Sequence, residues 1–164
     1  MFNTPEQFKN VYLHFPFCEA KCHYCDFFSL AENKTSSDQR QAIYLGIAHE
    51  LQSQADHLSP KLNTVFIGGG TPSLVPLAAL TKVLDLLIPR FTLSTEVTIE
   101  ANPSSISREK AEQIVRIRNG RGGVPGGLTE DEAEEGVDEL LYGRAGGMRG
   151  RLKIGALLGG LLSK

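Results

Sequence analysis

The sequence lacks both an excess of charge of one sign and a long apolar run. Its 17 basic residues stand against 19 acidic ones, a net charge of −2, which argues against a broad basic surface for nucleic acid. No apolar stretch reaches the roughly 20 residues that a membrane helix needs. The first residues carry neither the basic nor the apolar region of a signal peptide. We therefore expect a cytoplasmic protein with no nucleic acid partner and no transmembrane segment.

Cysteine is scarce and unevenly distributed. The 164 residues include three cysteines, Cys18, Cys22 and Cys25, which all fall within one short segment. A secreted disulfide framework would have an even number of cysteines spread along the chain. In a reducing compartment, clustered thiols are more often metal ligands or redox groups. The cluster therefore predicts a metal site on a single loop.

The first 117 residues predict an α/β fold of about three β-α units. Strands are expected at 11–15, 64–67 and 93–99, and helices from 36, from 77 to 87 and from 107. This alternation is typical of parallel strands that are covered by helices. Sheets of this kind bind ligands beyond the carboxyl ends of their strands. The cysteine segment and the two further motifs discussed below all follow such strand ends.

Residues 118–164 differ abruptly in composition. Only four of the 17 glycines precede residue 118, and glycine increases the entropy that is lost on ordering. One amphipathic helix is expected over 129–142, with Thr129 and Glu132 at the positions of a capping box. We therefore divide the chain into a partial α/β domain at 1–117 and a Gly-rich tail at 118–164. The tail is expected to be disordered or to derive from a frameshift in a truncated chain.

The cysteine spacing, CxxxCxxC, is compatible with two metal centres. Three thiolates on one loop can converge on a soft metal. Iron–sulfur clusters usually take four cysteines, so three would leave one iron open to a small molecule. A closed tetrahedral zinc site is the alternative, with His14 or His23 as its fourth ligand. The spacing alone leaves both metals open.

The segment VYLHFPFCEAKCHYCDF closely resembles the opening of radical S-adenosylmethionine (SAM) proteins of the HemN/HemW family. An aromatic residue before the last cysteine is typical of that superfamily. The resemblance covers about residues 8–117 and implies the N-terminal part of a (β/α) barrel. It also implies that the three cysteines, on a loop at 16–29, bind a [4Fe–4S] cluster whose open iron chelates SAM.

The resemblance also assigns residues to SAM. The GGGTP motif would contact the amino acid part of SAM through Gly69, Gly70 and Thr71. Glycines let the backbone approach a ligand closely and offer free N–H groups. Glu100 would bind the nucleoside, because a carboxylate accepts hydrogen bonds from two hydroxyls. Tyr12 would contact SAM from the first strand. Without the resemblance, these residues read as a tight turn, a solvated carboxylate and a strand aromatic.

The resemblance implies a role in porphyrin and heme metabolism. In the family, the reduced cluster cleaves SAM to methionine and a 5′-deoxyadenosyl radical, with chemistry that belongs to the cofactor. The oxygen-independent coproporphyrinogen III oxidases typically carry another cysteine two residues beyond the third ligand, where this chain has Phe27. The heme-chaperone branch is therefore favoured over oxidative decarboxylation. The partners implied are SAM, heme or a porphyrin precursor, and an electron donor protein.

The family's later elements are not recognisable after Ile117. These elements are a strand with a GVQ-type segment, an arginine and an aspartate that complete the cofactor pocket, and the C-terminal domain. Three β-α units would also leave an exposed edge strand, which is an aggregation liability. A zinc-binding interaction module and an inactive gene fragment are the interpretations from other classes.

Overall fold

The computed structural model describes residues 7–92, 94–102 and 105–118, together with Val137. Apart from two short strands after the first one, strands and helices alternate along these ranges, as the sequence predicts. In chain order they are β1 Asn10–Phe15, β2 Phe17–Cys18, β3 Leu30–Ala31, α1 Ser37–Ser53, β4 Thr64–Gly69, α2 Leu77–Leu87, β5 Glu96–Ile99 and α3 Arg108–Arg118. Within the described ranges, no helix combines the length and the apolar character needed to cross a membrane.

The main sheet has the order β1-β4-β5, and both of its strand pairs are parallel. Its register places Phe15 opposite Gly69 and Ile67 opposite Ile99. The carboxyl ends of the three strands therefore meet at one edge. The short strands β2 and β3 form a separate parallel pair that frames the cysteine loop.

The helices cover one face of the main sheet. Alternate strand residues are buried on that face and belong to one hydrophobic core with α1, α2 and α3; they include Leu13, Phe15, Val65, Ile67, Val97 and Ile99. On the opposite face, Tyr12 is 56% exposed and Phe66 is 38% exposed. We call this second side, which carries Tyr12, His14 and Phe66, the open face. In a (β/α) barrel the face without helices lines the interior.

The start of α1 follows from its first residues. Ser36 Oγ accepts a hydrogen bond from the Gln39 N–H at 3.2 Å, and Gln39 Oε1 accepts one from the Ser36 N–H at 2.9 Å. This reciprocal capping box satisfies two backbone donors that a helix N-terminus would otherwise leave open.

Ser36→Ala is expected to lower the free energy of unfolding by about 1 kcal/mol, because it removes the acceptor for the Gln39 N–H. Urea denaturation followed by circular dichroism measures this change. Ser37→Ala is the matched control, since Ser37 lies inside the helix and its side chain caps nothing. Equal midpoints for the two variants would mean that the capping box contributes nothing.

Two strand boundaries differ from the sequence-based prediction. The third predicted strand begins at Glu96 rather than at residue 93, because Thr92 and Thr95 close a turn in which the Thr95 N–H donates to the Thr92 carbonyl at 3.0 Å. Leu93 itself lies outside the described residues. β4 continues past its predicted end at Ile67 and runs through Gly68 and Gly69.

The predicted tail lies almost wholly outside the described residues. α3 ends at Arg118, and Val137 is the one described residue beyond it. Val137 is helical, 3% exposed and part of the hydrophobic core. It falls within the helix predicted over 129–142, which otherwise stays a prediction.

Candidate metal and cofactor site

The predicted site residues are distributed around the carboxyl edge of the main sheet. Tyr12 lies on β1, Gly69 ends β4 and Glu100 directly follows β5. Gly70 and Thr71 continue from Gly69, while Cys18 closes β2 just beyond the end of β1. The sheet topology thus brings together segments that are far apart in the sequence.

Glu100 is tied to the end of β4. Its Oε2 accepts a hydrogen bond from the Gly69 N–H at 3.1 Å. Burial raises the pKa of Glu100, and the Gly69 hydrogen bond and the nearby His14 oppose that rise. Among the described residues, Gly69 is the one hydrogen-bond donor to this carboxylate. The other carboxylate oxygen, Oε1, accepts no hydrogen bond from this described part of the chain.

Glu100→Gln is expected to raise the free energy of unfolding slightly at pH 7, by less than about 1 kcal/mol since the side chain is partly solvated. The raised pKa means that the folded state holds the proton more tightly than the unfolded state. The resulting stabilisation is complete below the ordinary carboxyl pKa and is lost as the pH rises through the raised pKa. Glutamine carries no charge, and its side-chain oxygen still accepts from the Gly69 N–H.

Thermal unfolding of Glu100→Gln and of the wild type, measured between pH 3.5 and 7.5, checks this expectation. The difference should vanish below about pH 4, where both states of the wild type are protonated. Glu50→Gln, at an exposed position of α1, is the control. A gap between Glu100→Gln and the wild type that is independent of pH would contradict the assignment.

Tyr12, His14 and the far end of the cysteine loop form a hydrogen-bonded chain. His14 Nε2 lies 2.9 Å from the Phe28 carbonyl oxygen, and His14 Nδ1 lies 3.0 Å from the Tyr12 hydroxyl. A carbonyl can only accept, so Nε2 carries the hydrogen and, in the neutral ring, Nδ1 accepts from the Tyr12 O–H. Burial and the charge of Glu100 raise the pKa of Tyr12 above its ordinary value.

The cysteine loop is closed by backbone and side-chain contacts. The Leu30 N–H donates to the Pro16 carbonyl at 2.6 Å, beside the β2-β3 pair. Lys21 Nζ donates to the Phe27 carbonyl at 2.6 Å and to Ser29 Oγ at 3.0 Å. The sequence pattern predicted the loop but neither the two short strands nor the role of Lys21, because no local periodicity marks them.

The three thiols are free and at least partly accessible. The Cys25 N–H donates to the Cys22 carbonyl at 3.2 Å, which turns the chain between these two residues. In the part of the chain that the structure describes, no group of three or more His, Cys, Asp or Glu side chains has the geometry of a metal site. The ends of the loop are thus held by hydrogen bonds, but the three thiols do not converge on one point.

The N–H groups of the glycine segment are not free, in contrast to the sequence-based expectation. The Gly69 N–H donates to Glu100. The Gly70 N–H donates to the Phe15 carbonyl at 2.8 Å, and the Thr71 N–H donates to the Phe17 carbonyl at 2.7 Å. Gly69 has φ +120°, a conformation that side chains other than hydrogen rarely allow. The segment therefore fastens the β1–β2 connection to the end of β4.

Residues 12–125 match the sequence profile of the radical SAM superfamily. The chain is also similar to proteins named heme chaperone HemW. It is 39% identical over 104 residues to that of Mycobacterium tuberculosis, 39% over 108 residues to that of Bacillus subtilis and 34% over 104 residues to that of Escherichia coli. Each match covers 62% of this chain and 27% of the relative.

Among solved structures, the chain resembles coproporphyrinogen III oxidase (HemN) from Escherichia coli. The TM-score is 0.59 at 23% sequence identity, with 71% of this chain and 27% of that chain covered. At this identity the likeness shows the fold, and it confirms the predicted partial radical SAM fold. The chain spans 27% of the length of the relatives that it matches. It belongs to the radical SAM superfamily, and the relatives that it resembles in sequence and in fold are HemW and HemN proteins.

Proposed function

We propose that this chain carries the cofactor-binding part of a HemW-like heme chaperone, with a [4Fe–4S] cluster on Cys18, Cys22 and Cys25 and SAM beside it. One observation carries the proposal: the Glu100 carboxylate and the Gly69–Thr71 segment meet at the sheet edge, and the same segment is hydrogen-bonded to the strand that bears Cys18. The proposed nucleoside site, amino acid site and cluster loop are thus neighbours in one structure.

The residues present suit such a cluster. The three thiols are free of disulfides and lie on a loop whose ends are hydrogen-bonded to each other. Three cysteine ligands leave one iron without a protein ligand. When bound, the cluster supplies the electron that breaks the sulfonium bond of SAM. The protein's own part is to bind and orient.

Each remaining residue has a defined task in this proposal. Glu100 accepts hydrogen bonds from the ribose hydroxyls. Tyr12 contacts SAM from the open face. Gly69, Gly70 and Thr71 receive the ammonium group through backbone carbonyls and the Thr71 hydroxyl, since their N–H groups already have acceptors. No protein general base is required for the cleavage of SAM.

The proposal extends to organisation and location. We assign residues 1–117 to a partial radical SAM domain and 118–164 to a Gly-rich tail. Free clustered thiols persist in a reducing compartment, which supports a cytoplasmic protein. Reduction of the proposed cluster would require an electron donor protein.

Phe27 is 66% exposed at the position where the oxidase branch typically has a cysteine. This favours heme over coproporphyrinogen as the tetrapyrrole partner.

Zinc binding is the second candidate, and it is favoured by the exposed His23 beside Cys22. His14, the other histidine considered for this role, has both ring nitrogens in hydrogen bonds. A tetrahedral site would therefore use the three cysteines and His23.

Anaerobic reconstitution with iron and sulfide tests the proposal, followed by electron paramagnetic resonance of the reduced protein with and without SAM. A cluster signal that changes when SAM is added is the expected result. Titration with heme, followed by its absorption band, then tests the tetrapyrrole partner. Bound zinc without iron or sulfide would overturn the cluster assignment in favour of the second candidate.

A further inference from the structure

The strand that carries the first cysteine is too short to hold itself in place. β2 has two residues, Phe17 and Cys18, and pairs with the equally short β3. Its backbone link to the GGGTP segment is the hydrogen bond from the Thr71 N–H to the Phe17 carbonyl. One residue earlier, the Gly70 N–H donates to Phe15 at the end of β1. The two bonds hold both sides of the β1–β2 bend.

Gly70 lies unusually close to β2. A Cβ built on Gly70 would lie 2.5 Å from the Phe17 carbonyl oxygen, 2.7 Å from its carbonyl carbon and 2.9 Å from its nitrogen. All three atoms are backbone, so no side-chain rotation could relieve the overlap. The φ of Gly70 is outside the left-handed region. Space, rather than conformational freedom, therefore requires glycine here.

Gly68 provides a contrast within the same segment. A Cβ at Gly68 would meet the Phe66 ring at 2.7 Å and Glu100 Oε2 at 2.9 Å. Both are ends of side chains, and Phe66 is partly exposed, so both can move aside. An alanine at Gly68 would disturb the proposed nucleoside site and leave β2 in place.

We infer that Gly70 is a positioning residue for the cluster loop: its missing side chain lets β2 sit against the end of β4, which fixes Cys18 beside the SAM segment. The expected effect of Gly70 on cluster binding rests on the proposed function. Its effect on the position of β2 does not. Gly70 would act before any ligand arrives, in addition to the SAM contact that the family resemblance implies.

Hydrogen–deuterium exchange of the metal-free chain tests the inference in Gly70→Ala, Gly68→Ala and Gly46→Ala. Gly46 lies within α1, with no atom within 4 Å of an added Cβ. We expect at least about tenfold faster exchange in Gly70→Ala at the hydrogen-bonded amides of Thr71 and Leu30, which hold β2 and close the loop. The amides of α2 should keep their protection. The two other variants should match the wild type in the loop.

Iron and sulfide content after reconstitution supplies the second readout. Gly70→Ala should bind several-fold less of both than Gly68→Ala does. Unchanged loop exchange in Gly70→Ala would overturn the inference, and so would lost protection throughout α2, because the glycine would then serve the whole fold. If the wild type binds no cluster while Gly70→Ala still loosens the loop, the proposed function fails and the seating role stands.

Discussion

Cys22→Ala is expected to abolish the iron-dependent visible absorption of the reconstituted protein. Under the proposed function Cys22 is one of three thiolate ligands, and two thiolates on an exposed loop would not retain a [4Fe–4S] cluster. The fold should survive the change. Cys22 is exposed, and the hydrogen bond that the Cys25 N–H donates to residue 22 ends on a backbone carbonyl that alanine keeps. The unfolding free energy should therefore change by no more than about 0.5 kcal/mol.

His23→Ala is the matched control for this prediction. His23 neighbours Cys22 and is exposed on the same loop, but it is a ligand only in the zinc alternative. Visible absorption and iron content should be those of the wild type in His23→Ala. If Cys22→Ala keeps its absorption, Cys22 is not a ligand. If both variants lose bound zinc and neither ever contained iron, the loop is a zinc site.

Phe17→Ala is expected to destabilise the fold by about 3–5 kcal/mol, the usual range for removing a fully buried phenylalanine. Phe17 is 1% exposed, and its ring meets that of Tyr44 edge-on at a centroid distance of 5.5 Å. This contact packs the cysteine-bearing strand onto α1. The substitution would leave a cavity beneath β2 and remove the aromatic pair.

Phe27→Ala is the corresponding control, because Phe27 lies on the same loop with its side chain exposed. Its contact with Lys21 uses the backbone carbonyl, which alanine preserves. Chemical denaturation of both variants measures the difference. A loss below about 1 kcal/mol in Phe17→Ala would contradict the burial of the ring, and an equal loss in Phe27→Ala would show that the loop is sensitive to any truncation.

Sequence patterns predict the regular elements well where a local signal exists. α2 begins and ends at the predicted residues, because Pro76 precedes it and Pro89 cannot continue it. Ser36 caps α1 as its side-chain chemistry indicates. β5 begins later than predicted, since Thr92 and Thr95 close a turn just before Glu96. That turn depends on side-chain hydrogen bonds, which hydrophobic alternation does not reveal.

The candidate site is only partly predictable from the sequence. The family resemblance points to the cysteines and to Glu100, and parallel strands explain why Glu100 reaches Gly69. The engagement of these N–H groups was not predictable, since the acceptors, Glu100, Phe15 and Phe17, are all more than 30 residues away in the chain. The hydrogen bond that His14 donates to the Phe28 carbonyl likewise depends on how the loop folds back on the sheet.

The pairing of β1 with β4 has a consequence for how the protein acquires its site. A slip of one residue between these strands would turn Phe66 into the core and Ile67 out of it. The same slip would move Gly69 away from Phe15 and carry the following N–H groups out of reach of the cysteine-bearing strand. A misaligned chain would therefore be unable to form the loop on which the metal is proposed to bind. Metal occupancy, once measured, would thus also report what fraction of the molecules has folded in register.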